Sequence, residues 1–257
     1  MEKTLLQEGI QYAEDNFLND EASHLKVDKQ LIPKLMNLNG KRIIDFGCGM
    51  GGMTLWYAKK WECEIYGVDI DQHHIEVANF LKDKHQIKNV HFEKRNIVEH
   101  PLEGKFDYIF LNDVVEHIRE DYLVNIFKQL AKALSAKGKI FISYPPWKSP
   151  YASHLNHVIK IPWCQFLPSP VLNNLIEKNN HPIVGDLESD LKEAYAGLNK
   201  MTHKKLKGIM NQTDLKQVYR KSHCILNRVG PIKDVNFRIF PLNYSITKEF
   251  IMFEKTS

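Results

Sequence analysis

The residues best suited to chemistry open in one short run, Ile44-Asp45-Phe46-Gly47-Cys48-Gly49-Met50-Gly51-Gly52. An apolar stretch leads into glycines and then into a helical pattern, which is the sequence form of a strand, a tight turn and a helix start. Glycine lets the backbone take positive φ and lets a ligand approach without meeting a Cβ. The run therefore reads as a loop that cradles a nucleotide-like molecule. Gly47, Gly49 and Gly52 satisfy the GxGxxG spacing of dinucleotide sites and by themselves leave the ligand open. Asp45 narrows the choice. A carboxylate just before the first glycine repels a pyrophosphate, whereas it attracts the amino group of an amino-acid-like ligand such as the methionine half of S-adenosylmethionine.

A second acid stands at a strand end in Tyr66-Gly67-Val68-Asp69-Ile70, 22 residues after Gly47. Such a carboxylate accepts both hydroxyls of a ribose, and Ile70 beside it would cover an adenine face. The same acid is also suited to capping the helix that starts near Asp71. Both readings fit a nucleoside site, and neither separates the two cofactor classes.

The elements that must hold these residues alternate strictly. Strands are expected at 42–46, 64–69, 90–94, 106–111 and 139–144, with helices at about 52–60, 71–85 and 120–134. Short apolar runs alternating with helical periods indicate βαβ units and a mostly parallel sheet. Two amphipathic helices, at 2–20 and about 28–38, precede the core, and Asn39-Gly40 closes the second. After Tyr144 the texture changes. Six of the eleven prolines lie between 145 and 170, so an ordered but irregular cap is expected there. Helical pattern returns near 171–179 and 202–211, and two strands near 217–227 and 247–254 end the chain. The organisation expected is an N-terminal helical lid at 1–40, a cofactor-binding core at 41–144, a substrate cap at 145–200 and a C-terminal completion of the sheet at 201–257.

In combination, DFGCGMGG, YGVDID, RNI and FDYIFLNDVVEHI resemble the successive motifs of class I S-adenosylmethionine-dependent methyltransferases of the small-molecule type. The resemblance implies an α/β, Rossmann-like, doubly wound seven-stranded sheet with an antiparallel last strand. It implies that Gly47, Cys48 and Gly49 hold the methionine portion of S-adenosyl-L-methionine with Asp45 assisting. Asp69 and Ile70 would take the ribose and adenine, Asn96 with the Ile97 backbone would read the adenine edge, and Asn112 would flank the sulfonium. Many relatives carry an acid where this chain has Asn96. Glu116-His117 is similar to the Glu-His pair of quinone and polyketide methyltransferases, which makes His117 a candidate active-site residue.

Tyr144-Pro145-Pro146-Trp147 looks like the tetrad of amino-group methyltransferases acting on nucleic-acid bases. It follows the fifth strand and not the fourth, and it begins with Tyr, so base methylation is not expected. WKSPYASHLNHVIKIPW resembles a segment of methyltransferases associated with glycan or lipid modification. Its His154 and His157 would share a helical face if the segment is helical, and a neutral imidazole there could take a proton from a hydroxyl. No third ligand accompanies them, so no metal is expected.

Lys+Arg of 35 against Asp+Glu of 31 gives a net charge of +4 with both signs interspersed, which implies no polyanion partner. Cys48, Cys63, Cys164 and Cys224 are too widely spaced for a disulfide framework or a zinc site, which suits a reducing, cytoplasmic setting. No apolar run is long enough for a membrane span. These features point to transfer of a methyl group to a small-molecule acceptor, with a hydroxyl of a natural product, quinone, lipid or glycan favoured. N- or C-methylation, a nicotinamide-dependent oxidoreductase and a catalytically inactive cofactor-binding partner are the alternatives.

Overall fold

The computed structural model describes residues 5–21, 25–155, 158–180, 182–183, 186–228, 235–236 and 238–256. Its elements are α1 (Leu5–Leu18), α2 (Lys26–Leu35), β1 (Arg42–Phe46), α3 (Gly52–Lys60), β2 (Glu64–Asp69), α4 (Gln72–Lys84), β3 (Val90–Lys94), β4 (Phe106–Asn112) and α5 (Glu120–Ala133). They continue with β5 (Leu134–Tyr144), α6 (Ser169–Lys178), β6 (Pro182–Ile183), β7 (Asp186–Asp190), α7 (Leu191–Gly197), α8 (His203–Met210), β8 (Leu215–Cys224) and β9 (Ile246–Lys255). Seven strands form one sheet in the order β3-β2-β1-β4-β5-β9-β8. β1 pairs parallel with both β2 and β4, β2 pairs parallel with β3, and β8 and β9 run antiparallel. This is the Rossmann-like doubly wound fold that the resemblance implied, on the βαβ alternation read from the sequence. The strand order reverses between β1 and β4, and ligands of open α/β sheets bind at the carboxyl ends of the strands at such a switch point.

By contacts, the described residues fall into two compact units, one drawn from 1–112, 132–140 and 184–187 and the other from 113–131, 141–183 and 188–257. In the first, β1 is buried along nearly all its length, as a central parallel strand covered on both faces must be. Its register sets Asp45 beside Gly67 of β2 and Phe110 of β4. α1 packs across the start of α3. A Cβ at Gly52 would lie 2.5 Å from the Ala13 carbonyl oxygen and 2.8 Å from the Asn16 Cβ, so the helix crossing requires a glycine. Gly52→Ala is expected to destabilise the protein by about 1–3 kcal/mol, the usual cost of overpacking. Urea unfolding would measure this, and an unchanged midpoint would show that α1 does not lie on α3 in solution.

The described residues of 145–200 carry more regular structure than their prolines suggested. Leu155, Ile159, Cys164, Leu172, Ile176 and Leu191 form a buried cluster. β6, β7 and α7 had no counterpart in the sequence reading. α7 begins with a capping box in which Asp190 accepts from the Lys192 and Glu193 backbone. β8 ends earlier than the predicted 227. Asn227 Oδ1 accepts the Cys224 N–H at 2.7 Å and turns residues Ile225–Arg228 into a 3-10 turn. All four cysteines are free. Among the described residues no helix is long and apolar enough to cross a membrane.

Candidate functional site

The first unit carries the glycine loop between β1 and α3. Gly47 and Gly49 hold positive φ of 70° and 52°, and the N–H groups of Gly47 and Cys48 both reach the Val68 carbonyl, at 2.8 and 3.1 Å. The loop is thereby tied to the end of β2, where Asp69 completes it. Asp69 Oδ2 accepts the Gly49 N–H at 2.9 Å, and Oδ1 accepts the Asp71 N–H at 3.0 Å. His74 Nδ1 lies 3.6 Å from the same Oδ1. Burial pushes the Asp69 carboxyl up, but these contacts, with His74 foremost, outweigh burial and hold it below the usual range. An ionised acceptor is thus maintained at the strand end. Asp69 does not cap α4, because Asp71 does so itself, accepting from His73 and His74.

Asp45 lies beneath the loop, buried, with the Thr54 hydroxyl donating to its Oδ2 at 2.6 Å. Burial, with a further push from the Asp69 charge and against the Thr54 hydrogen bond, raises its pKa to about 7. A carboxyl whose pKa is raised on folding favours the folded state most below its unfolded pKa, and that contribution is lost as pH rises towards 7. The loss between pH 4 and pH 8 is roughly 4 kcal/mol at most. Asp45→Asn is therefore expected to stabilise the unliganded protein at pH 8 and to leave it nearly unchanged at pH 4. Urea titrations at the two pH values test this, and equal stability at pH 8 would place Asp45 in a less buried setting.

Asn112 ends β4 and is gripped from two helices. Its amide donates to Asp28 of α2 at 2.9 Å, and its Oδ1 accepts the Tyr57 hydroxyl of α3 at 2.9 Å. Neither Asp28 nor Tyr57 was singled out from sequence. Nor was Lys29, a buried ammonium that donates to the backbone carbonyls of Asn16 and Asn19 at the end of α1. Carbonyls there have no helical partner, so a cation suits them. Burial pulls its pKa down to about 8. A Lys following an Asp in an amphipathic helix gave the only sequence signal, and it is easily taken for a solvated face.

Ile70 is 71% exposed beside Asp69, an aliphatic side chain left open to cover a flat ligand. Asn96 holds a local turn, its Oδ1 accepting the Val98 N–H at 3.1 Å and its amide donating to Glu99 at 2.9 Å, while Ile97 is buried. A Cβ at Gly49 would meet nothing within 4 Å. Gly52, the third glycine of the dinucleotide spacing, is occupied with α1. Backbone donors, an ionised acceptor, a buried proton-sharing carboxyl and an exposed aliphatic face fit a nucleoside joined to an amino acid.

The second unit carries Glu116, His117 and His154, whose ligating atoms lie within 4.8 Å of one another. Glu116 is buried and its Oε1 lies 3.8 Å from His154 Nε2. The two imidazoles meet edge-on with centroids 4.8 Å apart. Asn199 holds the Glu116 turn, donating its side-chain amide to the carbonyls of Val115 and Ile118 at 2.6 and 2.7 Å. Asp113 is fixed by an ion pair with Lys248 at 2.7 Å. The helical segment that would have given the cap histidines a shared face does not form at His154. His154 has φ of 57°, in the left-handed region that ends a right-handed helix, and residues 151–153 form a turn that bends at His154. His157 lies outside the described residues. The third group missing from the sequence reading is Glu116. Ligands of one tetrahedral ion lie about 3.4 Å apart, so this wider set would have to contract to hold a metal.

The description of a methyltransferase domain matches residues 37–221. Over 121 residues the chain is 28% identical to phosphoethanolamine N-methyltransferase 1 of Arabidopsis thaliana, covering 46% of this chain and 24% of that protein. The chain thus spans about a quarter of that relative's length. Among solved structures, the PH0226 protein of Pyrococcus horikoshii OT3 superposes with a TM-score of 0.61 at 17% identity, covering 95% of this chain and 94% of that one. An S-adenosylmethionine-dependent methyltransferase from Clostridium acetobutylicum ATCC 824 gives 0.59 at 12% identity, covering 96% and 98%. With well over half its length matched, the chain belongs to the methyltransferase domain family, on the Rossmann-like fold of S-adenosylmethionine-dependent methyltransferases.

Proposed function

We propose that this protein transfers a methyl group from S-adenosyl-L-methionine to a small-molecule hydroxyl. The observation that carries the cofactor half is the ionised Asp69 carboxylate at the β2 end, held against the Gly49 N–H beneath the open glycine loop. Asp69 would accept the ribose hydroxyls, Ile70 and the Asn96-Ile97 turn would enclose the adenine, and the Gly47-Cys48-Gly49 backbone would receive the methionine portion over Asp45. Asn112, immobilised by Asp28 and Tyr57, would line the methyl-bearing end. When bound, the cofactor supplies a methyl group on an already activated sulfonium, so the chain's own contribution is alignment and exclusion of water.

A hydroxyl acceptor must also lose a proton. In this reading the His154 imidazole takes it through the ring nitrogen that does not face Glu116, and Glu116, buried beside Nε2, steadies the imidazolium that results. His117 packs edge-on against His154 and fixes its ring plane. The phosphoethanolamine relative favours a second reading, an amine acceptor. A neutral amine carries its own lone pair and would make little use of His154.

Calorimetric titration with S-adenosylhomocysteine, with NADH and NADPH alongside, tests the cofactor assignment. Micromolar binding of S-adenosylhomocysteine alone is the expected result. Binding of a nicotinamide cofactor instead would return the glycine loop to its dinucleotide reading. With Asp45 titrating near 7 and the ligand's ammonium drawing off its proton, binding at pH 7 is expected to release a fraction of a proton. The observed enthalpy should then vary with the ionisation enthalpy of the buffer.

A further inference from the structure

Three acids line the carboxyl edge of the first unit's sheet, Asp69 at the end of β2, Asp45 next to the end of β1, and Asp28, which reaches the end of β4 from the first turn of α2. Asp28 so far only supports Asn112. It is fully buried, and its Oδ1 accepts the Asn112 amide while Asn112 Oδ1 accepts the Tyr57 hydroxyl, each at 2.9 Å. The line of donors thus runs from Tyr57 through Asn112 and ends on Asp28, the place in it that suits a carboxylate, which only accepts. The first turn of a helix also favours a negative side chain.

The charges of the three acids overlap. Burial raises the Tyr57 hydroxyl well above its usual pKa, with Asp45 and Asp28 pushing it further, and Asp69 acts in the same way on Asp45. Lys29, next to Asp28 in the chain, is directed elsewhere. Its ammonium donates to the Asn16 and Asn19 carbonyls, and the acid whose charge acts on it is Asp20.

Sheet order places β1 between β2 and β4, and neighbouring strands lie about 4.8 Å apart. A ligand with its ribose at Asp69 and its chain across the glycine loop after β1 therefore carries its sulfur towards Asn112. At that atom the methyl donor and its product differ. The donor is a sulfonium with a full positive charge; once the bond from sulfur to the methyl group breaks, both bonding electrons stay on sulfur and the thioether is neutral. The ammonium and ribose that face Asp45 and Asp69 are common to both molecules. A negative charge at the β4 end is what can tell them apart.

We propose that Asp28 is a specificity-determining residue, whose charge behind Asn112 makes the site hold the sulfonium donor more tightly than the neutral thioether product. The inference rests on the cofactor placement proposed above. It gives Asp28 more than a supporting part, and the two parts are separable, because a mere support for Asn112 serves both ligands alike.

Calorimetric titration with S-adenosylhomocysteine and with sinefungin, in which a protonated amine stands where the donor has its methylated sulfur, tests it. The parent is expected to bind the cationic ligand at least about tenfold more tightly, as a nearby unit charge at intermediate dielectric allows. Asp28→Asn keeps the shape, and an oxygen for the Asn112 amide, without the charge. It should bring the two affinities within about threefold of each other by weakening sinefungin and leaving S-adenosylhomocysteine nearly unchanged. Tyr57→Phe releases Asn112 on its other side and leaves the charge, so it should weaken both ligands by a similar factor and retain the preference. A parent that binds the two alike, or the neutral ligand more tightly, would overturn the proposal whatever the stability of the variants. So would an Asp28→Asn protein with the parent's preference, or a Tyr57→Phe protein without it. A parent that binds neither ligand would remove the cofactor placement itself, and the proposal with it.

Discussion

Asp69→Ala is expected to weaken S-adenosylhomocysteine binding by about a hundredfold or more. Hydrogen bonds to a charged partner contribute about 1.5–3 kcal/mol each, and a ribose offers two hydroxyls to this carboxylate. Two such bonds at the low end come to about 3 kcal/mol, which is roughly two orders of magnitude in affinity. The variant also strips the acceptor from the Gly49 and Asp71 N–H groups, so part of the loss comes from a loosened loop. Asp69→Asn separates the two contributions. It retains one acceptor oxygen and the side-chain volume, and should bind about tenfold more weakly than the parent. Calorimetry on the three proteins provides the comparison. An Asp69→Ala affinity within about threefold of the parent would mean that the β2 end does not hold the ribose.

The second large effect concerns the proton. Once a hydroxylated acceptor has been found by screening transfer of labelled methyl groups, His154→Asn should lower kcat by about 10²- to 10⁴-fold, the usual contribution of a positioned base. Asn is the informative replacement because it tolerates the left-handed backbone at this position, φ 57°. In the parent the rate should rise with pH through the imidazole titration and then level. In the variant it should keep rising with the hydroxyl's own ionisation, so the deficit shrinks at high pH. Glu116→Gln should leave KM near that of the parent and lower kcat less than His154→Asn does, as expected of a group that acts through His154. A His154→Asn enzyme with the parent's rate and pH profile would instead support the amine reading.

The glycine loop and the acid after it were legible because their signals are local. A strand, a glycine turn and a helix start occupy consecutive residues around Gly47 and Gly49, and an acid at the end of the next strand follows at a fixed interval. Backbone geometry is written into residue type at such points, and Asp45, Asp69 and Asn112 lie at or next to the carboxyl ends of β1, β2 and β4, with Ile70 directly after β2. The cap was legible only as irregular. Its prolines announced turns, but α7 rests on the Asp190 capping box and on Leu191 in the buried cluster, neither of which has a periodic signature.

What the sequence determined by itself was the order of elements and a mostly parallel sheet, which follow from periodicity, and a glycine turn after the first strand, which follows from the conformational range of glycine; the doubly wound order came from the resemblance of its motifs. Tertiary structure alone decided which groups act together. Asn112 is held by Asp28 and Tyr57, 84 and 55 residues distant. Glu116 meets His154, 38 residues further on, at a left-handed turn, and Gly52 serves a helix that precedes it in the chain. Contacts between residues so far apart depend on how elements pack, and packing leaves no trace in the local alternation of apolar and polar residues.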